Sequence, residues 1–199
     1  FWLYSGNCEG SITAEGINTR TWTSGNYRYT EKKYYSVYRN GTLDFKAVPV
    51  DASSKTDDDA MDSIEPFDYS EMTAFNPGYL SGYLAERYDE DKDKCLPRAK
   101  ERIENTTRDE LRNTCNYNSV NVQSYEKHTE VKDVKYAMLP TWLLYTTYQD
   151  KPYFFAMNGQ TGKFIGNLPI SKGKLVAYSL LGGVGGYIIG AILQIMGIF

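Results

Sequence analysis

Asn158-Gly159-Gln160-Thr161-Gly162-Lys163 gathers two glycines, two amides and a lysine into six residues, a composition that could grip phosphate. A phosphate loop needs G-x-x-x-x-G-K-[ST], followed by a helix whose first N–H groups face the anion. Here Met157 stands where the first glycine should be, Phe164 follows the lysine, and "FIGNLP" is too short and too rich in Gly and Pro for a helix. A tight turn fits better. Apolar Tyr153 to Met157 leads in, Asn158-Gly159 tolerates positive φ, and Lys163 to Leu168 leads back.

The second cluster with chemical potential is acidic. Asp57, Asp58, Asp59, Asp62, Glu65, Asp68 and Glu71 crowd one short segment. A calcium loop of the D-x-[DN]-x-[DN]-G kind would use Asp57 and Asp59, but Met61 takes the third place and Asp62 the place of the glycine. Helix-start chemistry accounts for the run more simply, because carboxylates in a first turn meet the positive end of the helix dipole. The reading is therefore a short helix from Asp58 to Ile64, stopped before Pro66, with Asp57, Asp59 and Asp62 as the residual metal candidates and no cofactor expected in this part of the chain. Nucleophilic catalysis has little to work with. His128 is the one histidine, no G-x-S-x-G elbow exists, and Cys8, Cys95 and Cys115 form no C-x-x-C. Three scattered cysteines read as reduced, partly buried thiols, and no catalytic residue is assigned.

These groups need elements to hold them. The 199 residues are 41% hydrophobic and 15% aromatic, with 18 tyrosines, a composition that suits half-exposed antiparallel sheet. Residues 26–40 alternate, Asn40-Gly41 reads as a hairpin turn, and "TLDFKAVPV" continues beyond it. "GSITAEGINTRTW" reads as a strand pair or one bent strand, and the segment around Tyr79, Leu80, Tyr83 and Leu84 as a short helix or a strand. Leu96 to Thr114 is the one long helix expected ahead of the tail, with Leu96, Ala99, Ile103, Thr107, Leu111 and Thr114 as its inner stripe and Pro97 in its first turn. Strands follow, joined by turns at Val131 to Asp133, Gln149-Asp150 and Asn158 to Gly162. The fold class expected is α+β: an antiparallel β-rich domain with one long helix, in a β-rich half 1–90 and a helix-plus-meander half 91–171 that form one unit.

Leu175 to Phe199 carries no charge over 25 residues. A run longer than about 18 residues is read as a transmembrane helix. Gly182, Gly186 and Gly190 recur every fourth residue, a small-residue face for packing against another helix. Lys172 and Lys174 precede the run and place the preceding domain in the cytoplasm by the positive-inside rule. The expected location is thus the cell membrane, with lipid bilayer and a partner helix around the tail. The start "FWLYSGNCEG", without Met, reads as the beginning of a fragment. The net charge of −3, from 22 basic and 25 acidic residues, shows no electrostatic footprint for nucleic acid in this part.

"FWLY", "TRTW", "SVYRNGTLDFKAVPVDASSK", "DDAMDSIEPFDYSE", "YLSGYLAERYD", "KYAMLPTWLL" and "FAMNGQTGKFIGNLP" occur in this order. Together they resemble the C-terminal part of a family of bacterial membrane proteins, common in Firmicutes, that carry a TFIIB-type zinc ribbon at the N-terminus. The resemblance implies a ribbon ahead of this chain, with zinc held there and by no residue present here. It also implies one or two membrane helices after the domain. Such proteins are sometimes labelled primosomal helicase-like, but this chain holds no helicase motif. Some relatives accompany SPFH-domain and phage-shock-type membrane stress systems, which implies an adaptor role. The leading expectation is therefore a membrane-anchored cytoplasmic interaction module rather than an enzyme. Its rival is a DNA-binding or helicase-associated protein acting through the ribbon, and a metal enzyme using the 57–71 carboxylates is the third class.

Overall fold

The structure, a computed structural model, describes residues 1–82, 84, 87–166 and 171–195, with the side chains of 189, 191, 192 and 195 outside that description. Two antiparallel sheets carry the fold. The first has the order β2-β1-β3, from β1 (Trp2–Ser24), β2 (Tyr27–Val50) and β3 (Ser119–Tyr136). The second has the order β4-β5-β6, from β4 (Thr141–Tyr148), β5 (Lys151–Asn158) and β6 (Phe164–Gly166). Three α-helices are present among the described residues: α1 (Asp58–Ser63), α2 (Lys92–Asn113) and α3 (Lys172–Ile195).

Period-two alternation decides which face of the first sheet is dry. Cys8, Ile12 and Ala14 of β1 point to one side, and α2 lies across them with Cys95, Ala99, Ile103, Thr107 and Leu111 buried. The lower end of this layer buries Tyr4 and Val50 against Cys95 and Ala99, while the upper end packs Ile12, Ala14 and Val37 against Leu111 and Cys115. The helix begins earlier than the expected Leu96. Asp91 caps it by accepting from the Lys94 amide at 2.8 Å, so Pro97 lies inside the helix and not in its first turn.

Close approach explains a second correction. Asn40-Gly41 makes no turn, because β2 runs unbroken through it and the reversal comes at Gly25-Asn26. Gly25, at φ 60°, holds the first central position of that two-residue turn, where a type II′ turn takes glycine. Gly41 instead pairs with Gly10 under α2, and a Cβ on Gly10 would stand 3.0 Å from both Leu111 and Thr107. Glycine is there to admit a helix. The expected turn at Val131 to Asp133 is likewise absent. β3 continues, and its register against β1 slips between Ser5 and Gly6, a bulge that consumes one residue. The expected turns at Gln149-Asp150 and Asn158 to Gly162 are present, the first with φ of 51° and 59°; in the second Asn158 still belongs to β5, and the positive φ falls on Gly162, at 72°, instead of on Asn158-Gly159. Pro77–Leu80 is a short 3-10 helix, and Tyr83 lies outside the described residues.

The tail is the largest correction. Residues 172–195 are helical, but among the described residues no helix is long and apolar enough to cross a membrane. Leu175 to Ile188, the uncharged stretch whose side chains are described, is 14 residues long, short of the roughly 18 that a crossing takes. Lys172 and Lys174 stand in the first turn of α3, where the Lys174 amide meets Ser171 Oγ at 3.4 Å, and they flank no described span. Residues 196–199 lie outside the described residues.

Candidate functional site

Short, acidic α1 would not hold its place unaided. Asp57 caps it, with Oδ1 accepting from the Ala60 amide at 2.9 Å. Below, Ala60, Met61 and Ile64 are buried, the last two in a cluster with Phe67 and Ala156 of β5. Above, two arginines one turn apart on α2 take up the carboxylates. Arg98 pairs with Asp58 and, at 2.8 Å, with Asp62, and it donates to the Asp58 carbonyl at 2.8 Å. Arg102 reaches Asp62 at 3.1 Å, Glu65 at 2.8 Å and the Pro49 carbonyl of β2. Burial raises the Glu65 carboxyl above its ordinary range, and Arg102 pulls it back only in part. The acidic run is thus half of an interlocking charge clamp that ties α1 to α2 and β2.

The residual metal candidates separate accordingly. Asp57 is spent on the cap, Asp62 lies between two guanidinium groups, and Asp59 is exposed with its carbonyl accepting from Ser63 Oγ. Among the described residues no group of three or more His, Cys, Asp or Glu side chains stands ready to hold a metal ion.

The glycine-rich segment has a structural task that spacing alone did not reveal. Asn158 is wholly buried, and all four capacities of its amide are used. Nδ2 donates to the carbonyls of Ile64 and Pro66, both at 3.0 Å, while Oδ1 accepts from the Gln160 and Thr161 amides at 2.8 and 3.0 Å. Lys163 extends Nζ to the Glu65 carbonyl at 2.6 Å, away from any phosphate position. Asn158 and Lys163 therefore fasten the second sheet to the C-terminal end of α1. Buried amides with full hydrogen bonding are position-specific devices. An apolar strand ending in Asn-Gly was the one sequence signal for it.

Between α1 and this sheet opens a cleft of about 640 Å³, lined by Asp57 and Asp59 on the helix side and by Tyr145, Phe154 and Ile165 on the sheet side. Beside it runs β4, paired with β5 on one side only, its other edge open. Trp142, Leu144 and Tyr148 project from one face and Leu143 and Tyr145 from the other, and all five are exposed, Trp142 and Tyr145 at 62%. An open, apolar edge strand is a template for another chain, and proteins normally protect such edges with charge, proline or a covering element. Among the described residues β4 has none of these.

His128 is exposed on β3 opposite Glu9, while Cys8, one residue earlier on β1, faces the other side and accepts from Thr129 Oγ1 at 3.3 Å. All three cysteines are free and buried, and burial pushes the Cys95 thiol up to about 11. Gly182, Gly186 and Gly190 lie along α3 with nothing within 4 Å of a built Cβ, so they pack against no described part of this chain.

No protein-family model matches the chain. No solved structure does either. The chain is 38% identical over 179 residues to an uncharacterized protein of Bacillus subtilis (strain 168), YdjG. That match takes in 89% of this chain and 52% of the relative, so the chain spans about half the length of the curated protein it is similar to.

Proposed function

We propose that the chain is an interaction module that captures an extended segment of a partner protein along β4. The observation that carries this reading is the open edge of β4 with Trp142, Leu143, Leu144, Tyr145 and Tyr148 exposed. An added strand would take its affinity from the unpaired N–H and C=O groups of β4, and its specificity from side chains seated between alternate residues. The cleft between α1 and the sheet would hold the side chains that fall on the inner face. The resemblance to TFIIB-type zinc-ribbon membrane proteins supplies the class of partner, a component of an SPFH- or phage-shock-type envelope-stress assembly at the cytoplasmic side of the membrane. Residence at the membrane through such an assembly does not require α3 to cross the bilayer. The glycine face of α3 is a second contact in this reading, offered to a partner helix.

Leu144→Lys combined with Trp142→Thr tests it. Both side chains are exposed, so the fold keeps its stability to within about 0.5 kcal/mol. The wild-type chain, used as affinity bait, is expected to recover an SPFH- or phage-shock-type partner that the variant loses. Equal recovery by both, or recovery of no such partner by either, overturns the reading.

A further inference from the structure

The hairpin of β1 and β2 outruns the sheet it belongs to. The β1–β3 ladder ends at Ile17 opposite Ser119, whereas β1 and β2 stay paired from Asn18 opposite Lys33 to Ser24 opposite Tyr27. Seven residues at about 3.3 Å each make a two-stranded arm roughly 20 Å long beyond the third strand. Every residue from 19 to 36 is exposed, so the arm buries nothing of its own. Its base is firm. Tyr35 packs on Tyr117 with ring centroids 5.2 Å apart, the Thr19 amide donates to Asn118 Oδ1 at 2.8 Å, and the β1–β2 register is unbroken from Gly6 onward.

The composition of this arm differs from the rest of the molecule. Residues 18–33 hold Arg20, Arg28, Lys32 and Lys33 against one carboxylate, Glu31, a net charge of +3 on a chain whose total is −3. Three aromatic residues, Trp22, Tyr27 and Tyr29, interleave with the cations. Trp22 and Tyr29 stack across the strands at 5.7 Å and 15°, and the Arg20 guanidinium lies 5.7 Å above the indole. Arg28 and Lys32 occupy the opposite face, with Thr19, Thr21, Thr23 and Thr30 between them.

We infer that this arm is a binding site for single-stranded nucleic acid, which stacks its bases against Trp22, Tyr27 and Tyr29, takes its phosphates on Arg20 and Lys33 of the same face, and is drawn to the arm by Arg28 and Lys32 on the other. Cations to follow the backbone and flat rings to receive unpaired bases are the two components such sites use. Exposed rings favour a single strand over a duplex, whose bases are already stacked. A lipid surface fits less well. An interfacial element sinks an apolar face below the headgroups, and residues 18–33 contain no aliphatic side chain to do so. The overall acidity of the chain is no obstacle, because the excess acids lie outside residues 18–33, whose one carboxylate is Glu31.

The test uses the full chain and a fluorescent oligothymidylate of about 15 nucleotides, followed by anisotropy. Binding is expected to weaken linearly in log K against log salt with a slope of about −2 to −3, from four cations at about 0.7 each. Arg28→Glu with Lys32→Glu should weaken it at least tenfold, and Trp22→Ala should weaken it without changing the salt slope. Both variants should keep the wild-type melting temperature and the β4-dependent partner capture, so failure here is separable from failure of the interaction reading. No binding at low salt overturns the inference, as does affinity unchanged by charge reversal. Capture of anionic phosphatidylglycerol vesicles with the oligonucleotide ignored assigns the arm to lipid instead. Equal affinity for a duplex of the same length, unaffected by Trp22→Ala, removes the stacking argument.

Discussion

Asn158→Ala is expected to cost about 4 kcal/mol. The side chain is 0% exposed and makes four hydrogen bonds, two donated to the carbonyls of Ile64 and Pro66 and two accepted from the amides of Gln160 and Thr161. Each contributes about 1 kcal/mol net, and truncation strands the buried Ile64 carbonyl together with three half-buried backbone groups. For a chain of this size each kcal/mol lowers the melting temperature by about 2–4 °C, so a fall of about 8–16 °C is expected. Asn158→Asp separates the donor half from the acceptor half. It keeps the bonds from Gln160 and Thr161 but sets a carboxylate oxygen against two carbonyls. Burial and those carbonyls push the new carboxyl upward in the folded state. A carboxyl raised on folding costs stability above its unfolded value of about 3.9, and the cost is recovered as pH falls. The gap between Asn158→Asp and wild type should therefore shrink between pH 7 and pH 4, while the Asn158→Ala gap stays nearly constant. Urea unfolding at both pH values reads this directly. A cost below about 1.5 kcal/mol for the alanine variant, or an aspartate gap that widens in acid, would refute the account of Asn158 as the fastener between the second sheet and α1.

The clamp makes a related prediction, since Arg102→Ala leaves Glu65 and Asp62 without their shared partner. A loss of about 2–3 kcal/mol is expected by urea unfolding. It should be larger at pH 7 than at pH 4, because a Glu65 carboxyl already raised by burial is penalised more when ionised. Gly10→Val drives side-chain atoms into Leu111, Thr107 and Tyr125 and should cost about 1–3 kcal/mol, whereas Gly25→Val fails through its positive φ and not through a clash; near-UV circular dichroism separates a displaced helix from a strained turn. Cys95 is held at about 11 and Tyr125 at about 12, in each case chiefly by burial, so stability should drain away above about pH 9, as the unfolded chain ionises first. In the same range of conditions, Ellman's reagent should find no reactive thiol in the folded chain at pH 8 and three in denaturant. A chain ending at Ser171 should unfold at the wild-type urea midpoint, because the described side chains of α3 are almost all exposed; a lower midpoint would mean that the helix packs on the domain.

Features governed by near neighbours were legible in the sequence. Caps and stops act within a few residues, so the helix after Asp57 and its end before Pro66 could be read directly. The same holds for the turns at Gln149-Asp150 and 159–163, whose geometry the local residues set. Of the stripe Leu96, Ala99, Ile103, Thr107, Leu111 and Thr114, the four from Ala99 to Leu111 follow helical periodicity into burial against the sheet, while Leu96 is half-buried and Thr114, at the cap past the last turn, is exposed. Distant packing was not legible. Glycine at 41 has one appearance in the sequence whether it turns the chain or runs on within a strand, and only the pairing of β2 with β1 distinguishes the two. Val131 to Asp133 looked like a turn because a bulge interrupts alternation in the same way. The acidic run looked like a helix start with metal candidates, and its pairing with Arg98 and Arg102, some 40 residues away in the chain, came from the docking of two helices. A tail without charge looked long enough for a membrane, but no described helix is long and apolar enough to cross one. Composition assigns one net charge to the chain. The tertiary structure alone divides it, cancelling acids against arginines at α1 and extending cations and rings on an arm beyond the third strand.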